Sequence, residues 1–215
     1  RRTDRLADLK EELKTKTHIA SVDVADKQQV RDFFASLPKQ FARIDVLINS
    51  AGLARDLEPA PECNLEDWEE MVDTNIKGLL YMTRYTLDVM KADGGHIINV
   101  GSVAGHVPYK GGNVYGATKA FVRQFSNNLR TDLFGTGIRV TNIEPGAAET
   151  EFSVVRFSDK TKADAYYKDW RPLTPEDVAN TIAWTINQPA HVNIDNIEVM
   201  PLDQTYGGMV LNKQA

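Results

Sequence analysis

Tyr115-Gly116-Ala117-Thr118-Lys119 puts a phenol and an ammonium at positions i and i+4. On a helix two such side chains share a face. A free tyrosine has a pKa of about 10 and is a poor base near neutrality. A lysine charge about 4 Å away, at an effective dielectric of roughly 20, contributes up to ~4 kcal/mol. That lowers the phenol by as much as ~3 units before desolvation opposes it. A tyrosine tuned this way takes a proton from an alcohol or gives one to a carbonyl. The pair alone also fits an exposed helical surface, so its context decides. Ser102 follows the apolar run Ile97-Ile98-Asn99-Val100, where a hydroxyl can hold a substrate oxygen beside the phenol. Asn75, in Thr74-Asn75-Ile76-Lys77-Gly78, falls mid-helix on an apolar stretch, where a buried amide needs partners.

Two more strand-end loops carry small or polar residues. Asn49-Ser50-Ala51-Gly52 follows an apolar run and lets a flat ligand lie on the backbone. Pro145-Gly146, with Thr150 beyond, ends another. Asp23 stands at the end of an earlier run, placed to accept from an adenine amine or to cap a helix. Together these loops imply one crevice at the carboxyl ends of parallel strands.

The elements that must position these residues alternate in type. Helical spacing is read over Asp4–Lys14 (Leu6, Leu9, Leu13), Asp26–Phe41 (Val30, Phe33, Phe34, Leu37), Asn64–Lys91, Asn113–Phe134 and a last helix opened by Thr174-Pro175-Glu176. Strands are read over His18–Val24, Ile44–Asn49, His96–Val100, Ile138–Ile143 and Asn193–Val199. The alternation predicts an α/β fold with a doubly wound parallel sheet and one catalytic domain over residues 1–215. Residues 153–172 are polar, aromatic-rich and irregular, the place of a substrate lid. Such a sheet normally opens with a central strand and a Gly-rich turn. Neither is present, so a strand–turn–helix unit and the next strand are expected to precede Arg1.

Composition narrows the function classes. The chain has 215 residues, is 42% hydrophobic and 26% charged, and carries a net charge of −5. That balance argues against nucleic acid as the main partner. No apolar run approaches a membrane span, and the single cysteine, Cys63, excludes an internal disulfide. A reduced, cytoplasmic protein is the expectation.

The joint pattern resembles the short-chain dehydrogenase/reductase family, whose sheet is Rossmann-like. It rests on Asn49-Ser50-Ala51-Gly52, where the family usually has Asn-Asn-Ala-Gly, and on Asn75, Ser102, Tyr115 with Lys119, and Pro145-Gly146 with Thr150. The stretches Gly111–Phe125, Thr150–Ser153, Val155-Arg156-Phe157 and Pro189–Asn193 look like the NADP-dependent 3-hydroxy acid dehydrogenases, also called serine or allo-threonine dehydrogenases. The resemblance implies Tyr115 as general acid/base, Lys119 lowering its pKa and holding the nicotinamide ribose, and Ser102 fixing the substrate oxygen. It implies Asn75 on a water-linked proton path. Asp23 and Val24 would meet the adenine, Asn49, Ala51 and Gly52 the adenosine side, and Pro145, Gly146 and Thr150 the nicotinamide. Arg1 and Arg2 fall where a 2′-phosphate is recognised and favour NADP. The family usually assembles as homotetramers. The two long helices are suited to that packing, and the tail from Thr205, with Tyr206, Met209, Val210 and Leu211, can reach a neighbour.

Arg156 is the candidate for a substrate carboxylate, because arginine binds carboxylates bidentately. Arg55 and Lys110 are its rivals on other loops, and Tyr166 and Trp170 either close the pocket or pack the lid. His18, His96, His106 and His191 lack metal spacing, so no metal is expected. Glu149 and Glu151 read as loop charges. The expected reaction is oxidation of the C3 alcohol of a small 3-hydroxy acid by NADP. The alternatives are a broad NADPH-dependent carbonyl reductase acting on ketones and a non-catalytic NADP-sensing interaction protein.

Overall fold

The computed structural model describes residues 3–90, 94–206 and 211–213. Arg1, Arg2, Met209 and Val210 lie outside the described residues. Four parallel strands form one sheet in the order β1 (Val46–Asn49), β2 (Gly95–Val100), β3 (Ile138–Pro145) and β4 (Asn196–Val199). Helices α1 (Thr3–Glu12) and α2 (Lys27–Ala35) precede β1. Helices α3 (Leu65–Val72) and α4 (Leu79–Leu87) connect β1 to β2, and α5 (Asn113–Asp132) connects β2 to β3. Helices α6 (Glu151–Phe157), α7 (Lys160–Tyr167) and α8 (Pro175–Ile186) connect β3 to β4. This is the expected Rossmann-like α/β arrangement. No described helix is long and apolar enough to cross a membrane.

Alternation along β3 sorts the helices onto two faces. Val140 packs with Leu47, Ile97 and Leu129, together with Met82 of α4 and Phe125 of α5. Arg139 points the other way, and its guanidinium donates to Thr185 O, Ile186 O and Gln188 O at 3.0–3.4 Å. It thereby satisfies carbonyls that the end of α8 leaves orphaned. So α4 and α5 cover one face and α8 the other. Four asparagines stand in register across the sheet: Asn49, Asn99, Asn142 and Asn196. Asn49 Nδ2 donates to Asn99 Oδ1 at 2.9 Å, Asn99 Nδ2 to Ser126 Oγ at 2.9 Å, and Asn142 Nδ2 to Asn196 Oδ1 at 3.0 Å.

Five readings of the sequence are corrected. His18–Val24 forms no ladder, because no described strand lies beside it to exchange hydrogen bonds. The helix expected over Asp26–Phe41 stops at Ala35, and Asp26 rather than Asp23 caps it, accepting from Gln28 N and Gln29 N. The helix starting at the Asn64 cap is continuous to Leu87 but widens into a π-helical turn over Asp73–Gly78. The stretch read as irregular holds α6 and α7, capped by Thr150 and Asp159. In α1 no residue is buried, so the Leu6, Leu9, Leu13 spacing covers no core.

Candidate active site

The ends of β2 and β3, the start of α5 and the α6–α7 hairpin enclose a cavity of about 740 Å³. That size suits a small-molecule or cofactor site. Ser102, Tyr115, Lys119, Gly52, Pro145, Gly146, Thr150 and Arg156 all line it. Ser102 opens a 3-10 turn just after β2, where its Oγ accepts from Ala104 N at 3.2 Å and donates to Pro145 O at 3.3 Å. The turn therefore ties the end of β2 to the end of β3. Tyr115 and Lys119 are both buried on α5, one turn apart as the spacing requires.

The electrostatics differ from expectation. Lys119 Nζ lies 5.8 Å from the Tyr115 ring centroid and donates to Val100 O at 2.8 Å. Burial pushes the Tyr115 phenol up to about 12, and the charge that opposes this is the Arg156 guanidinium rather than Lys119. A hydrogen bond with Ser102 favours the phenolate as well. Burial also lowers Lys119 to about 8. At the distance observed, then, desolvation outweighs the pairing read from the i, i+4 spacing.

Arg156 is a poorly satisfied cation of the site. Its guanidinium carbon sits 5.0 Å from the Tyr115 centroid and 4.9 Å from that of Phe152, a cation–π contact with each of two adjoining rings. Its Nε is buried with no partner among the described residues, and one terminal nitrogen reaches Tyr109 Oη at 3.5 Å. The rival Arg55 is engaged elsewhere. It pairs with Glu70 at 2.6 Å and donates to Val155 O at 3.1 Å, which clamps α6 to the loop after β1. Lys110 lines the cavity as well.

Other expected residues fall differently. Asn75 is held in the π-turn, where its Oδ1 accepts from Leu53 N at 2.8 Å and its Nδ2 donates to Leu53 O and Thr118 Oγ1. It acts as a clasp between α5 and the loop carrying Gly52. The Asn49 side chain projects toward α4, bonding Thr83 as well as Asn99, and does not line the cavity; neither do Ala51, Asp23 and Val24. Val24 instead packs on Gly78, where a side chain on the glycine would approach its Cγ2 to 2.8 Å. Tyr166 lines the cavity, whereas buried Trp170 packs behind it against Tyr166 and Tyr167. Sequence reasoning missed Tyr109 and Tyr167. Tyr167 shares a hydrogen bond with Ser153 Oγ and donates to Ala148 O, both at 2.7 Å. Its signal was the aromatic pair Tyr166-Tyr167 following the Asp159 cap.

A buried tyrosine, lysine and serine at parallel strand ends define an oxidoreductase site. The chain belongs to the short chain dehydrogenase family, whose model matches residues 1–161. It is similar to the NADP-dependent 3-hydroxy acid dehydrogenase YdfG of Escherichia coli strain K12, with 54% identity over all of this chain and 88% of the relative. A serine 3-dehydrogenase of Rhizobium radiobacter is 48% identical over all of this chain and 87% of its own length. Among solved structures, the closed form of a serine dehydrogenase complexed with NADP+ superposes with a TM-score of 0.94. It is 53% identical, and the match covers all of this chain and 88% of that one.

The described residues fit the nicotinamide–ribose half of such a cofactor. A side chain on Gly52 would come within 3.5 Å of Lys119 Nζ and 3.3 Å of Asn75 Oδ1, so the missing Cβ keeps a path open to the ammonium. Lys119 has three donors and makes one hydrogen bond among the described residues.

Proposed function

We propose that the protein is an NADP-dependent dehydrogenase that oxidises the C3 alcohol of a small 3-hydroxy acid, with Tyr115 as general base. The observation that carries the substrate class is Arg156, a guanidinium with an unpartnered buried Nε stacked on the ring of Tyr115. A bound carboxylate supplies the missing acceptors and places C3 near the phenol. The names of the relatives support the same reading.

NADP, when bound, supplies the hydride acceptor. Tyr115 takes the proton of the C3 hydroxyl as the carbonyl forms. Ser102 lines the same cavity as the phenol, and its hydroxyl is there to hold the same oxygen. Lys119 has donors left for ribose hydroxyls. Arg156 favours the phenolate and therefore makes more of the deprotonated base available. A serine oxidised at C3 gives a β-carbonyl acid, which readily loses carbon dioxide.

NADPH formation with L-serine, allo-threonine and 3-hydroxyisobutyrate, with NAD as the control cofactor, tests the proposal. Turnover with NADP on any of the three, and little with NAD, is expected. Replacing Tyr115 by Phe should lower kcat by ~10³-fold or more and spare NADP binding; normal turnover in that variant removes the mechanism. The apolar part of the lining, with Leu57, Val155, Val178 and Ile182, favours a second reading. Reduction of bulkier ketones by NADPH, without oxidation of any hydroxy acid, would establish it. Self-assembly belongs to the proposal too, since Phe134 is 83% and Leu202 92% exposed. Sedimentation showing a monomer at every concentration would refute it.

A further inference from the structure

A second charged cluster lies beside the cavity but outside its lining. Three of its members stand close in sequence to a residue of the reacting set. His106 ends the turn that Ser102 begins. Arg123 is one helical turn beyond Lys119 and two beyond Tyr115 on α5. Glu144 immediately precedes Pro145 on β3. The three converge. Arg123 donates to Glu144 Oε2 at 2.8 Å and to His106 Nδ1 at 2.8 Å, and it lies 3.9 Å from Glu198 Oε1. His106 Nε2 is 3.0 Å from Glu198 Oε1, and the Tyr206 hydroxyl donates to the other Glu198 oxygen.

The donor inventory fixes the histidine. A guanidinium only donates, so Nδ1 must accept and the proton resides on Nε2, where it bonds Glu198. The Glu144 carboxylate is 0% exposed, and burial alone would favour its neutral form; Arg123 opposes this. The acceptor atoms of His106, Glu144 and Glu198 lie within 4.8 Å of one another, a spacing a metal ion could use. The guanidinium stands among them, so the cluster carries its own cation, and a divalent ion would meet that charge.

We propose that His106, Arg123, Glu144 and Glu198 form a node that sets the relative positions of Ser102, Tyr115, Lys119 and Pro145, making Arg123 and Glu144 positioning residues for the hydride-transfer reaction. The proposal rests on the reading of Ser102, Tyr115 and Lys119 as the reacting set. Stability alone is a poor reason for the node, because apolar residues of similar volume often replace a buried ion pair at no loss. A planar guanidinium bonded to two elements at once fixes direction as well as distance. The direction matters here because Ser102 Oγ reaches Pro145 O only if the β2 and β3 ends stay aligned. Small displacements of reacting groups, on the order of 1 Å, cost up to about 100-fold in rate.

The test uses the full chain and four variants: Arg123→Lys, the double variant Arg123→Met with Glu144→Met, Glu144→Gln, and His106→Ala. The last leaves the buried pair in place, so it can be read even if the double variant does not fold. Thermal midpoint, NADP affinity, kcat and KM are measured, together with the isotope effect from substrate deuterated at C3. The expected result for Arg123→Lys and the double variant is a near-native midpoint and NADP affinity. Their kcat should fall about tenfold or more, and the isotope effect should rise as the chemical step becomes limiting. His106→Ala should show the same signature, about threefold in kcat, with Glu144→Gln between the two. Wild-type kcat and isotope effect in variants that fold would overturn the node. A wild-type protein that turns over neither hydroxy acids nor ketones would instead overturn the reading of the reaction.

Discussion

Arg156 leans on a ring of α5 and Arg123 stands on α5 itself, and they differ in what they touch. Arg156 leans on the rings of Tyr115 and Phe152, and its buried Nε has no partner among the described residues. Arg123 is bonded to a buried carboxylate and an imidazole. Lys119 resembles Arg156, being buried with one hydrogen bond. Cations facing the cavity are thus held in surroundings that satisfy them poorly, and the cation outside it is satisfied by the protein itself. Buried charges without partners lower stability. The cavity-facing cations are therefore explained by a ligand that completes them, and Arg123 by the architecture.

Removing Arg156 gives the largest effect that distinguishes the two kinds. Arg156→Met should lower kcat/KM for 3-hydroxy acids by about 100-fold, equivalent to ~3 kcal/mol, and for uncharged ketones much less. Equal losses on both substrate types would place Arg156 with Arg123 as an architectural residue. The pH profile of the same variant should shift next. Arg156 favours the Tyr115 phenolate against burial, so its loss raises the phenol further. The rising limb of alcohol oxidation should then move to higher pH, measured with an uncharged alcohol; an acid shift would refute the assignment. The smallest effect is on folding. Lys119 is lowered from 10.5 to about 8 by burial, so its charge is a cost to the folded state below pH 8. The cost is relieved as pH rises from about 8 towards 10.5. Lys119→Met should abolish turnover yet raise the unliganded melting temperature at pH 7 by roughly 2–4 °C, about 1 kcal/mol. The gain should shrink at pH 10, whereas an unchanged or lower midpoint at pH 7 would show that Lys119 is not under strain.

Much of this was legible because it is local. The apolar runs at 97–100 and 138–143 became β2 and β3, and the stripe of Val122, Phe125 and Leu129 became the packed face of α5. Tyr115, Lys119 and Ser102 needed only helical spacing and a strand end. What the spacing left out depended on distant partners. The amide of Asn49 bonds Asn99, 50 residues away. Arg55 was a rival for the substrate until Glu70 on α3 claimed it. The Tyr115–Lys119 coupling failed because the lysine turns to Val100 O. Helices α6 and α7 lack a clear apolar period, since their aromatic residues meet the cavity and one another. Only the caps Thr150 and Asp159 announce them. Nothing in the spacing around Asn75 announced the π-turn.

The row of asparagines across the sheet carries a consequence for how the chain reaches this arrangement. Side chains alternate along a strand, so a slip of one residue turns an amide out of the row and brings an apolar neighbour such as Ile98 or Ile143 into it. Each stranded amide then costs about 1–3 kcal/mol. The row works as an alignment mark. A sheet assembled one residue out is rejected on polar grounds that its greasy strands could not supply, before Ser102 and Pro145 can meet in the wrong place.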